Sequence, residues 1–118
     1  MQSFFHMRIS DSPGRIVLTV AGELDFTARS QAAPAVGALV LAGRDLVVDL
    51  TQVTFMDVGG LGMLLRLGER VAAGGGAMVL RGLRPEVRRV LELTGTDGWL
   101  PEQTGPAHGA PDSALGAA

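Results

Sequence analysis

The sequence predicts an α/β domain in which a mixed β-sheet of about four strands packs against α-helices. Three observations carry this. Apolar and polar residues alternate near the N terminus, two later runs of mainly apolar residues suit strands, and segments with apolar residues at helical spacing lie between and after those runs. The implied order is ββαβαβα. Two of the helical connections have crossover length, which joins parallel strands and favours a right-handed path.

Phe5, Met7 and Ile9 alternate with His6 and Arg8. After Ser10, Asp11, Ser12, Pro13 and Gly14 the chain sets Ile16, Leu18 and Val20 on one face, so the first two strands read as a hairpin. Val36, Leu39 and Val40 follow at helical spacing. Pro34 breaks a helix interior but is tolerated in a first turn, which predicts a helix over 34–42 with an irregular approach from Thr27. Residues 46–50 are a short branched apolar run suited to a strand buried on both faces. Past Asp57, the residues Leu61, Leu64, Leu65, Gly68 and Ala72 form one helical stripe, and Gly74, Gly75 and Gly76 end it. Residues 77–81 give another strand. Pro85 and Glu86 then open a helix with Val87, Val90 and Leu91 inward, closed by Gly95.

The 118 residues suffice for one domain with one core, and with 47% hydrophobic and 19% charged residues that core can form. The expected division is a domain over 1–100 and a flexible Pro-, Gly- and Ala-rich tail over 101–118 with few contacts. Net charge is −2 and the arginines are dispersed from Arg8 to Arg89, a poor footprint for nucleic acid. Cysteine is absent, which removes disulfides, thiol catalysis and thiolate metal sites. His6 and His108 lack partners at metal-ligand spacing, and Ser10, Ser12 and Ser30 lack an associated base, so no metal, cofactor or catalysis is expected. The N terminus lacks the pattern of a secretory signal. The longest small or apolar run, 32–43, is interrupted by Pro34 and falls short of the ~20 residues that span a bilayer. A cytoplasmic protein without direct membrane insertion is the expectation.

Three strings carry more. Gly22-Glu23-Leu24-Asp25 leaves a strand, residues 48–57 run on to Gly60-Leu61-Gly62, and residues 87–95 open the last helix and end at its closing glycine. Together, over roughly 15–100, they resemble the STAS-domain anti-sigma factor antagonists, or anti-anti-sigma factors. The resemblance implies the STAS fold and a bacterial transcription regulator that binds a protein and is not an enzyme. Its partner would be an anti-sigma factor, often a serine kinase with a histidine-kinase-like ATPase fold, and binding would free a sigma factor to engage RNA polymerase. Many such relatives are switched off by phosphorylation of a serine directly after the aspartate matching Asp57. Here that position is Val58, and the next, also often serine, is Gly59. An alternative implied by the same resemblance is an accessory STAS subunit of a lipid-transporting ABC system, which needs no phosphoserine. A phospho-accepting domain with Asp25, Asp49 and Asp57 around magnesium is disfavoured, because the chain has no lysine to neutralise a transferring phosphoryl group.

The candidate partner-binding residues are Glu23, Asp25, Asp57, Val58, Gly59, Met63 and Arg66. Asp57 stands where a loop enters the Leu61 stripe, so it can cap the helix for about 1 kcal/mol and also touch a partner. Val58 has no hydroxyl and makes the unmodified surface permanent. Gly59, Gly60 and Gly62 each weaken a helix by up to ~1 kcal/mol relative to alanine. Close approach, either to a partner or to the domain's own sheet, would compensate. Met63 and Leu67 fall away from the Leu61, Leu65 and Ala72 stripe, beside Arg66 and Arg70; this face suits an interface or is simply exposed. Glu23 and Asp25 contribute to the kinase-facing surface, as the resemblance implies, or serve turn chemistry, with Asp25 or Thr27 capping the next helix.

Overall fold

The structure, a computed structural model, describes residues 4–103. β1 (Phe5–Asp11) and β2 (Arg15–Leu24) form the expected hairpin, antiparallel from Phe5 opposite Gly22 to Asp11 opposite Ile16. α1 (Phe26–Gly37) leads to β3 (Asp45–Met56), α2 (Val58–Ala73) to β4 (Met78–Arg81), and α3 (Pro85–Thr94) follows. β3 pairs in parallel with both β2 and β4, so the sheet is mixed, in the order β1-β2-β3-β4.

Register partners in neighbouring strands project to the same face of a sheet. Ile16, Leu46 and Met78 make one row across three strands, and Leu18, Val48 and Leu80 make the next. All six are buried. α2 adds Leu61, Leu64, Leu67 and Val71 to this core, and α3 adds Val87 and Leu91. Each such side chain stabilises by roughly 1.5–3 kcal/mol relative to exposure. Val47, on the opposite face of β3, is also buried, but Asp45 and Thr51 on that face are exposed and Asp49 is half-buried, so the strand expected to be buried on both faces is fully covered on one only.

Three expectations need correction. The first helix lies at Phe26–Gly37 and not at 34–42, with Pro34 in its last turn. Its buried residues are only Ala28 and Ala32, so it has no large apolar stripe to read, and its start is set by the Asp25 carboxylate accepting from the Ala28 amide at 2.8 Å. β3 extends six residues past the apolar run ending at Leu50, because Ala21 to Leu24 of β2 continue the pairing through two register shifts. The domain also continues past residue 100. The Leu80 amide donates to the Pro101 carbonyl at 2.8 Å and the Gln103 amide to the Leu80 carbonyl at 2.7 Å, while Arg88 holds the Glu102 carboxylate at 2.6 and 3.2 Å. Residues 101–103, expected in the tail, thus lie on the free edge of β4; residues 104–118 of that expected tail fall outside the described residues.

Candidate functional site

β3 delivers the chain to Asp57, whose extended backbone lets its side chain fold over the start of α2. Oδ1 accepts from the Gly59 amide at 2.8 Å and the Gly60 amide at 3.1 Å, which satisfies two of the four free donors of a helix start. Oδ2 accepts from the Phe26 amide, the first residue of α1, at 3.3 Å. The Asp57 amide in turn donates to the Leu24 carbonyl at 3.3 Å. One carboxylate therefore caps α2 and ties it to the start of α1, which Asp25 caps.

The glycines explain how the two helix starts come so close. A Cβ on Gly60 would lie 1.9 Å from the Leu24 carbonyl oxygen, and one on Gly59 would lie 2.7 Å from the Phe26 Cα. Both contacts are with the domain's own chain, and both glycines are buried. The close approach thus serves internal packing, and Gly59 offers no surface of its own.

Other candidates divide. Val58 begins α2 and is 74% exposed. Glu23 and Asp25 are half-buried, and Arg66 is exposed. Met63 is buried at 5% and Leu67 at 1%, contrary to the exposed face expected of them. The reason is that α1 packs on α2, so α2 is covered by the sheet on one flank and by α1 on another. The expected stripe is displaced accordingly. Leu65, Gly68 and Ala72 line a groove of about 500 Å³ whose far wall is Trp99 and Leu100.

Two residues not anticipated join the site. Phe26 is 65% exposed beside Gly59, and Phe55, paired with Glu23 in the sheet register, is 49% exposed. The available signal was their position, Phe26 directly after one capping aspartate and Phe55 two residues before the other. Val58 and Phe26 give the joined helix starts two exposed apolar side chains beside Asp25, while Phe55 and its register partner Glu23 project to the sheet face opposite the buried Leu24 and Met56.

Asp49, considered with Asp25 and Asp57 as a magnesium cluster, is engaged elsewhere. Burial pushes its carboxyl up, but hydrogen bonds from Thr51 and the Arg81 guanidinium outweigh that and hold it below its ordinary value. Among the described residues no three His, Cys, Asp or Glu side chains stand together as a metal site. Nor is any helix there long and apolar enough to cross a membrane.

The comparisons with known proteins agree with this architecture. The STAS domain family model matches residues 6–108. A STAS-domain containing protein of Pseudomonas aeruginosa is 30% identical over 79 residues, 67% of this chain and 78% of its own. The anti-sigma F factor antagonist of Lysinibacillus sphaericus is 28% identical over 91 residues, 75% of this chain and 78% of its own. The crystal structure of an anti-sigma factor antagonist from Mycobacterium paratuberculosis superposes with a TM-score of 0.76 at 30% identity, covering 97% of this chain and 93% of that one. With four strands in a mixed sheet and three helices among the described residues, and a family match over most of its length, the chain belongs to the STAS domain family of the anti-sigma factor antagonists.

Proposed function

We propose that this protein is a cytoplasmic anti-sigma factor antagonist, which binds an anti-sigma factor of the serine-kinase type and so releases a sigma factor to act in transcription. It works by docking and not by turnover. The observation that carries this reading is the exposure of Val58 and Phe26 at the joined starts of α1 and α2, where the Asp57 carboxylate ties the two helices together. Exposed aromatic and branched residues with a polar rim have the composition of an interface core. Val58 has no hydroxyl, so the surface stays competent for binding where relatives resembling this chain are switched off by a phosphate.

The experiment is release of a sigma factor. The anti-sigma factor retained by the immobilised protein is purified as a complex with its sigma factor, and the antagonist is added. Sigma factor should leave the complex in proportion to antagonist added, with Val58→Asp much weaker than the parent. Retention of a transport ATPase in place of an anti-sigma factor, or a sigma factor that stays bound, would overturn the reading.

A further inference from the structure

α1 and α2 leave between them a groove of about 200 Å³. Its floor is apolar, with Val36, Met63 and Leu67, and its rim carries Arg29, Arg66 and Arg70. Positions 62, 66 and 70 follow one another on α2 at intervals of about 6 Å along the axis, since each residue rises about 1.5 Å. Arg29 Nη1 lies against Gly62, 3.4 Å from where a Cβ would stand. Arg29 at Gly62, then Arg66 and Arg70, therefore follow one another along one flank of α2.

Their partners differ. Arg70 is engaged by α1, donating to the Val36 and Leu39 carbonyls at 2.9 and 3.0 Å. Arg29 and Arg66 have no ion pair among the described residues. Among the described residues no carboxylate lines the groove. α1 carries no acidic residue, and the one on α2, Glu69, lines the groove beneath Trp99 instead. A chain of net charge −2 thus sets two arginines that have no ion pair among the described residues beside an apolar floor.

We infer that this groove receives an acidic amphipathic helix of the partner protein, whose apolar side seats over Val36 and whose carboxylates, one turn apart, meet Arg29 and Arg66. The inference rests on the docking reading above and names the chemistry of what docks. The roughly one-turn separation of the two charges matches carboxylates at i and i+4 on a helix. A concave floor with two charges fits a helix better than a lipid surface, which is engaged by a convex apolar face and a longer run of basic residues.

The test uses a synthetic peptide of about 16 residues, long enough to hold helix, with glutamates at i and i+4 beside a row of leucines. A scrambled isomer and vesicles of phosphatidylglycerol serve as controls, and binding is read by fluorescence anisotropy. The peptide should bind the full chain, and about tenfold more weakly when Arg29→Glu and Arg66→Glu are combined. A peptide with lysine in place of those glutamates should regain affinity for the double variant, which also shows that the variant is folded. Equal binding of the scrambled peptide, no binding of the designed one, unchanged affinity in the double variant, or vesicle binding lost in that variant would each overturn the inference. The two readings fail separately. An anti-sigma factor that binds parent and double variant alike removes the groove and leaves the docking reading intact. If no anti-sigma factor binds the parent at all, the docking reading falls, and the peptide still decides what the groove accepts.

Discussion

The Asp57 carboxylate accepts from the backbone amide of Phe26, 31 residues earlier in the chain, while capping its own helix at Gly59 and Gly60. The cap that is local in sequence is also the joint between α1 and α2. Asp57→Ala removes the acceptor for all three amides. A single cap is worth about 0.5–2 kcal/mol, so Asp57→Ala, which also frees the Phe26 amide, should cost about 2 kcal/mol in urea unfolding. A loss below about 0.5 kcal/mol would show that neither the cap nor the tie to α1 contributes to stability.

Three glycines lie close together at the start of α2, yet they should behave differently. Gly60→Ala drives a methyl into the Leu24 carbonyl, a backbone atom that cannot swing aside, and overpacking of this kind costs roughly 1–3 kcal/mol or more. Gly62→Ala meets only the end of the flexible Arg29 side chain at 3.4 Å, so helix propensity decides and the variant should be neutral or more stable by up to about 1 kcal/mol. Thermal unfolding of the two variants checks the order. A stable Gly60→Ala protein would show that α2 can back away from β2 at little cost.

The edge segment at 101–103 should respond to acid. The hydrogen bond from Arg88 is the main reason the Glu102 carboxyl sits below its ordinary value of 4.5, and it outweighs partial burial, which pushes the other way. A carboxyl depressed in the folded state contributes stability above its unfolded value and loses that contribution as pH falls through the folded one. Both groups are partly exposed, so the effect is local. The Gln103 and Leu80 amide signals should therefore move in NMR with a midpoint below 4.5, and Arg88→Ala should raise that midpoint. An unchanged midpoint would show that Arg88 does not govern this edge. Truncation at 100 should likewise cost more stability than truncation at 103, by about the worth of two backbone hydrogen bonds, each about 0.5–1.5 kcal/mol.

What could be read from the sequence followed the size of the buried side chains. The hairpin, β4, α2 and α3 were legible because leucine, isoleucine and valine recur at the period of the element. α1 was not, because it buries alanines, and alanine gives a weak periodic signal whichever face it occupies. The second half of β3 was hidden because Thr51, Gln52, Thr54 and Phe55 are exposed and the register shifts beside them. In the site, the capping role of Asp57 could be read from its place before a helical stripe. The burial of Met63 could not, since a second apolar flank looks the same whether a partner or α1 covers it. Phe26 went unremarked because it fell between the Glu23 and Asp25 loop and the segment read as irregular from Thr27.

The remaining prediction concerns Val58, the first residue of α2 and the most exposed of the apolar group around it. Its side chain has no atom that can accept a phosphoryl group, so incubation with ATP and a cognate anti-sigma kinase should leave both the protein and its affinity unchanged. Val58→Ser places a hydroxyl at the same exposed position, and the mutation touches no buried contact, so stability should change little. A phosphate there would add a charge of about −2 next to the Asp57 carboxylate and near the exposed Phe26. The helix start supplies backbone amides that tolerate an anion, but Asp57 already occupies those of Gly59 and Gly60, so the new charge would be repelled by one neighbour and would oppose docking by the other. The variant should gain one phosphate by mass spectrometry and then lose at least about tenfold in affinity, equivalent to 1.4 kcal/mol, by calorimetry. Phosphate appearing on the parent at Thr51 or Thr54, with release of the partner, would show instead that a switch exists in this protein and acts from β3.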